Sequence, residues 1–159
     1  MRQQAGPIRM SPIPGQPARG PPGRHMLNYR GTVYPWHCDH MGHMNVMWYV
    51  GKFDEATWQF LARAGLTPAF LRDHQRGMVA VEQVLQYKRE LVAGDIVTVR
   101  SSLVELKEKS IRFQHEMTKD DTGEVAALTT LVGVHLDTAT RRACALPAMV
   151  ADRLRELES

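Results

Sequence analysis

An α+β fold, with one long helix on one face of a curled antiparallel sheet, is predicted by three observations. A single strand-like segment opens the chain's globular part, one long helical segment follows, and about sixty residues of alternating β-type sequence come after it. A long helix beside consecutive strands must bury its apolar stripe against one face of them, so the sheet is expected to curl around it.

The elements follow from local chemistry. Residues 1–26 hold six of the nine prolines, four glycines and four arginines without one acid, a composition that cannot bury enough apolar surface to offset its ordering entropy. They are expected to be a disordered or surface-draped tail. Their charge suits an organelle transit peptide, but the repeated Pro and Gly oppose the helix such peptides form, and Met26 is an alternative start. Residues 27–159 are expected to be one domain, since a chain of this size buries roughly two-thirds of its unfolded surface.

YRGTVYPW, from Tyr29, reads as a short strand ended by Pro35. From Val46 to Ala64 the period becomes helical, with Val46, Val50, Phe53, Thr57, Phe60, Leu61 and Ala64 on one stripe and Gly65 as the stop. Trp48 and Trp58 lie off that stripe, either under neighbouring loops or against a second subunit. A short helix follows in TPAFLRDH, capped by Thr67 with Pro68 in its first position. Four β segments come next: MVAVEQVLQYKREL, bent or double, then DIVTVRSSLVEL, SIRFQHEMTK and EVAALTTLVGVHLD. The turn signals AGD, KEKS and DDTG separate the later ones, and the amphipathic helix LPAMVADRLREL closes the chain.

The net charge of +3 is misleading, because the tail alone contributes four positive charges and leaves the rest near −1. A nearly neutral globular part gives no footprint for nucleic acid. Cys38 and Cys144 form no C-x-x-C pair, so neither a disulfide framework nor a zinc ribbon is indicated. No stretch approaches the ~18 apolar residues of a membrane span and no secretory signal core is present. A soluble, cytoplasmic chain is expected.

The densest chemistry is WHCDHMGHMN, residues 36–45. His37, Cys38, His40 and His43, with Met41, Met44 and Met47, are potential ligands for zinc or copper, but adjacent residues on an extended segment point to opposite faces. His115 and His135 are the candidates to complete a metal site from elsewhere, and no second spaced pair is present, so no metal is expected. The three methionines are expected instead to line an apolar tunnel. An acid just before a helix sits near free backbone N–H groups and the positive dipole end, a setting that serves either chemistry or an inert, locally satisfied turn.

Five segments in register with these elements resemble the hotdog-fold acyl-CoA thioesterases, in the branch of the 4-hydroxybenzoyl-CoA and long-chain acyl-CoA enzymes. They are VYPWHCDHMGHMN with Tyr49; Asp54, Glu55 and Ala56; YKRELVAGD; EKSIRFQHEM; and LDTATRRACALP. The resemblance covers Tyr29 to Leu157. It implies a hotdog fold, a homodimer or dimer of dimers, no cofactor, and hydrolysis of an acyl-CoA or acyl-carrier-protein thioester.

The resemblance makes Asp39 the catalytic carboxylate, as base or nucleophile, with a main-chain N–H near Asn45 or Val46 as oxyanion donor. Gly42 would let the backbone approach the acyl group, and His43 would orient water or hold Asp39. Asn45 is a helix cap or a ligand contact, and Tyr49 is core or acyl-pocket wall. Asp54 and Glu55 rank second as acids. Lys88, Arg89, Lys107, Lys109 and Arg112 are the basic candidates for the CoA phosphates. Two other readings stay open: a hotdog dehydratase or hydratase using His43 with a helix acid, and a non-catalytic acyl-thioester binder.

Overall fold

The computed structural model describes residues 25–158. Strand β1 (Met26–Thr32) leads through a single 3-10 turn (Pro35–His37) to helix α1 (Val46–Arg63) and the short α2 (Pro68–Asp73). Strands β2 (Arg76–Tyr87), β3 (Ile96–Leu106), β4 (Ser110–Lys119) and β5 (Val125–Asp137) follow, then the two-residue β6 (Arg142–Ala143) and helix α3 (Ala148–Glu158). The sheet is antiparallel in the order β1-β3-β4-β5-β2, with β6 paired to β5.

Two boundaries depart from the sequence reading. Most of the expected tail lies outside the described residues, but Met26, counted with it, is buried as the first residue of β1. β1 stops at Thr32 rather than at Pro35, because Val33 leaves the ladder to exchange hydrogen bonds with Gly94 and Asp95. Pro35 opens the 3-10 turn, where its missing N–H costs nothing.

The strands are not one consecutive meander. β2 crosses to the far edge and pairs with β5, so β1 and β2 are the two edges of the main path. Register shifts at Leu27/Tyr29, Ala80/Glu82 and Leu103/Glu105 place bulges in three strands, and bulges bend and twist a sheet.

α1 lies in the resulting hollow. Its start is capped by Asn45, whose Oδ1 accepts from the Met47 N–H at 3.0 Å. It ends at Gly65, φ +96°, with the Leu66 N–H closing back onto the Leu61 carbonyl at 2.9 Å. The buried face carries Tyr49, Lys52, Phe53, Ala56, Phe60 and Leu61. Val46 and Val50, predicted on the stripe, are exposed. Periodicity measures how amphipathic a helix is, whereas the sheet covers only the sector centred between Tyr49 and Phe60.

Two apolar clusters flank α1, one under its first half with Met44, Leu91, Val97 and Met117, the other under its second half with Ile111, Phe113, Val150 and Leu154. His115 on β4 sits between them, fully buried, with Phe53 stacked on it and the Phe60 and Phe113 rings against it edge-on. Its Nδ1 lies 2.6 Å from Ser101 Oγ and its Nε2 2.9 Å from Thr57 Oγ1. Because the Thr57 hydroxyl donates to the Phe53 carbonyl, Nε2 carries the ring proton and Ser101 donates to Nδ1. Burial pulls the His115 pKa down to about 3.

The sign of the resulting pH dependence is fixed. Below about pH 6.5 the unfolded chain protonates this ring while the folded one stays neutral until about 3, so its stabilisation is complete above 6.5 and erodes as pH falls. Urea unfolding between pH 7 and 5 is expected to lose up to about 1.4 kcal/mol per pH unit at this group, a slope missing from His115→Asn. Thr57→Val, which leaves the Nε2 proton buried without an acceptor, should cost about 1–3 kcal/mol at pH 7.

Candidate active site

The loop between β1 and α1 is a miniature hairpin. Cys38 and Met44 form an antiparallel bridge, the Asp39 N–H donates to the His43 carbonyl at 3.2 Å, and the Gly42 N–H returns to the Asp39 carbonyl at 3.0 Å. Gly42 holds φ +85°, and a Cβ there would meet nothing within 4 Å. The positive φ by itself calls for glycine at this position. Two outside bonds fix the hairpin: the Met44 N–H to the Leu91 carbonyl at 2.7 Å, and the Asn45 N–H to the His37 carbonyl at 2.9 Å.

Asp39 is half-buried at the tip. Oδ1 accepts from the Met41 N–H and Oδ2 from the Asn45 side-chain amide, each at 2.9 Å. These bonds, the Asn45 one first, hold the carboxyl below the usual carboxylate range, so it is ionised at neutral pH. Asn45 faces two ways, since its Oδ1 caps α1 while its amide grips Asp39. The carboxylate thus stands at the leading end of the helix. Among the described residues, no protein acceptor meets the Val46 N–H, the first of α1.

The other candidates are distributed around this pair. His43 supports Asp39 through its main-chain carbonyl, while its ring faces Glu90, Nε2 to Oε1 3.6 Å. Tyr49 is core: its hydroxyl donates to the Arg89 carbonyl at 3.1 Å, and burial, with the Glu90 charge second, pushes it up to about 12. The YKREL segment therefore walls the loop, a role its sequence does not announce. Lys88 and Arg89 lie at this end of the sheet, whereas Lys107, Lys109 and Arg112 lie at the opposite end. Arg89 pairs with Glu124, Lys107 with Glu105 and Arg112 with Glu82.

The potential metal ligands diverge. His37 is buried against Trp48, ring centroids 4.4 Å apart, and its Nδ1 accepts from the Tyr34 N–H. Burial, then the nearby Lys52 charge, lowers its pKa. Among the described residues, no three His, Cys, Asp or Glu side chains converge as a metal site. The methionines do not share a tunnel either: Met44 is buried in the core, while Met41 and Met47 are exposed. Asp54 and Glu55 are exposed on α1, and Glu55 lines a groove between β1 and α1 that does not include Asp39. Trp48 also lines that groove, and Trp58 is exposed.

A sequence model of the thioesterase-like superfamily matches residues 33–154. The long-chain acyl-CoA thioesterase FadM of Escherichia coli is 27% identical over 125 residues, covering 79% of this chain and 94% of FadM. A Staphylococcus aureus protein solved in complex with CoA superposes with a TM-score of 0.80 at 22% identity, over 87% of this chain and 88% of that one. A gentisyl-coenzyme A thioesterase superposes with a TM-score of 0.71 at 29% identity, over 79% of this chain and 98% of that one.

Removing the shared amide should therefore be felt twice. Asn45→Ala is expected to cost about 1 kcal/mol of stability through the lost cap, measured by urea unfolding. It should also raise the Asp39 titration toward the ordinary carboxylate value, followed by carbon-detected NMR of the Asp39 carboxyl.

Proposed function

The chain belongs to the thioesterase-like superfamily, and with its hotdog fold and acyl-CoA thioesterase class as premise we propose that Asp39 and the first turn of α1 form its reaction centre. The observation that carries this reading is the ionised Asp39 carboxylate held by the cap residue of the helix whose first N–H has no protein acceptor among the described residues.

Thioester hydrolysis needs a group that delivers oxygen to the carbonyl carbon and a donor for the oxyanion that forms. With the thioester oxygen on the Val46 N–H, the Asp39 carboxylate either takes a proton from an attacking water or attacks directly, giving a mixed anhydride that water then opens. Collapse of the tetrahedral intermediate breaks the C–S bond, and the thiolate leaves with a proton. Gly42 keeps the turn that aims Asp39, Asn45 fixes its orientation, and Tyr49 supports the wall behind the loop. His43 and Glu90 lie beside the loop, and Lys88 and Arg89, at the same end of the sheet, are the candidate cations for a CoA phosphate. The hydratase reading is disfavoured because His43 faces Glu90 rather than Asp54 or Glu55.

The active assembly is a homodimer or dimer of dimers. β2 is a twelve-residue edge strand with Val79, Val81 and Val84 exposed, and α1 exposes Val46, Met47 and Val50. A long apolar edge seeks a partner, and a second copy of β2 continues the ladder. Both cysteines are free thiols, which suits a cytoplasmic enzyme.

Free thiol release from a panel of acyl-CoAs tests the reaction centre. Asp39→Asn is expected to lower kcat at least a hundred-fold in a protein that remains folded by circular dichroism, and release that survives it would remove Asp39 from the chemistry. The acid limb of kcat/KM is expected below the usual carboxylate range, since the Asp39 pKa is lowered and activity needs the ionised form. Val81→Lys is expected to shift sedimentation toward the monomer, and an unaltered assembly would remove β2 as its contact.

A further inference from the structure

The surface holds a second concave feature, the open groove of about 450 Å³ between β1 and the first half of α1. Tyr34 and Trp36 line it as a parallel stack, centroids 4.4 Å and planes 7° apart, although they are 46% and 66% exposed. Trp48 and Tyr29 add aromatic surface, and the Glu55 carboxylate lines the groove from α1. Lys52 lines it too, but its ammonium is buried and bound to the Tyr29 hydroxyl at 2.9 Å. Exposed, stacked aromatics beside an accessible acid match the chemistry of proline-rich, arginine-bearing peptides, whose rings pack flat on aromatic faces and whose guanidinium pairs with the carboxylate.

This chain carries such a peptide. We propose that its own segment Ser11–Arg24 (SPIPGQPARGPPGR) is the occupant of this groove. The segment combines Pro14-x-x-Pro17 with Arg19 and Arg24 and holds no acid, so its charge complements Glu55. Proline fixes φ near the extended region, which lowers the entropy lost on docking.

The reach is sufficient. Pro17 lies nine positions before Met26, about 28 Å at the ~3.1 Å per residue of a proline-rich chain. The β1 residues in the groove, Tyr29 to Thr32, begin three residues beyond Met26, about 10 to 20 Å along a strand. A segment that turns back beside β1 therefore reaches the groove residues of that strand with its prolines.

Limited trypsin digestion of the full chain tests this, reading cleavage after Arg19 against a synthetic peptide of residues 1–24. Cleavage in the full chain is expected to be at least ten-fold slower than in the peptide. Trp36→Ala should abolish that protection, and so should Pro14→Ala with Pro17→Ala, normalised to the peptide carrying the same changes. Equal rates in chain and peptide would overturn the proposal, as would protection that survives both variants. Protection that grows with protein concentration would assign the groove to the segment of a second copy and overturn the intramolecular form.

Discussion

The Asn45 side chain is the joint on which the site depends. A helix start leaves backbone donors unsatisfied, and a carboxylate on a turn is free to rotate unless something holds it. One amide answers both needs, because its oxygen caps α1 through the Met47 N–H while its nitrogen grips Asp39. The position of the acid relative to the helix end is therefore set by a single planar group. No rearrangement of the loop can move one without straining the other.

That joint is meaningful only because the helix beneath it is packed in place. Phe53 and Phe60 are fully buried, and between them the neutral His115 joins α1 to β3 and β4 through Thr57 and Ser101. A polar group inside an apolar core specifies register when every bond is made and destabilises when one is missing. Here the hydroxyl of Thr57 settles the tautomer, so the network has one arrangement. The two edges of the sheet then have different fates: β2 presents a bare ladder with valines, whereas β1 is overhung by an aromatic groove.

Much of this was legible in the sequence where the signal was local. Asn45, Gly65 and Thr67 punctuate the helices at the predicted places, and SIRFQHEMTK is the whole of β4 because its alternation is bounded by turns on both sides. Neighbour relations were not legible, since alternation identifies the inward face of a strand but not which strand lies beside it. β2 therefore went to the far edge unannounced. In the site, the family resemblance pointed to Asp39, Gly42 and Asn45, but the Asp39–Asn45 bond exists only because the Gly42 turn folds the loop back on itself. The Glu90 wall and the aromatic groove join segments far apart in the chain, and no local pattern encodes them.

On the proposed reading, the loop resolves a conflict between position and reactivity. Two hydrogen bonds fix Asp39 but also depress its proton affinity, which makes it a poor base in water. The surface around it is apolar and open, with Met41, Val46 and Met47 exposed. Covering that surface by a bound acyl chain removes solvent from the carboxylate and raises its affinity for a proton without disturbing the bonds that hold it. The charge is thus stored in a stable, correctly aimed form, and occupancy of the apolar rim turns it into a working base or nucleophile. A more basic aspartate, unsupported by Asn45, would gain reactivity in water and lose the orientation that hydrolysis needs.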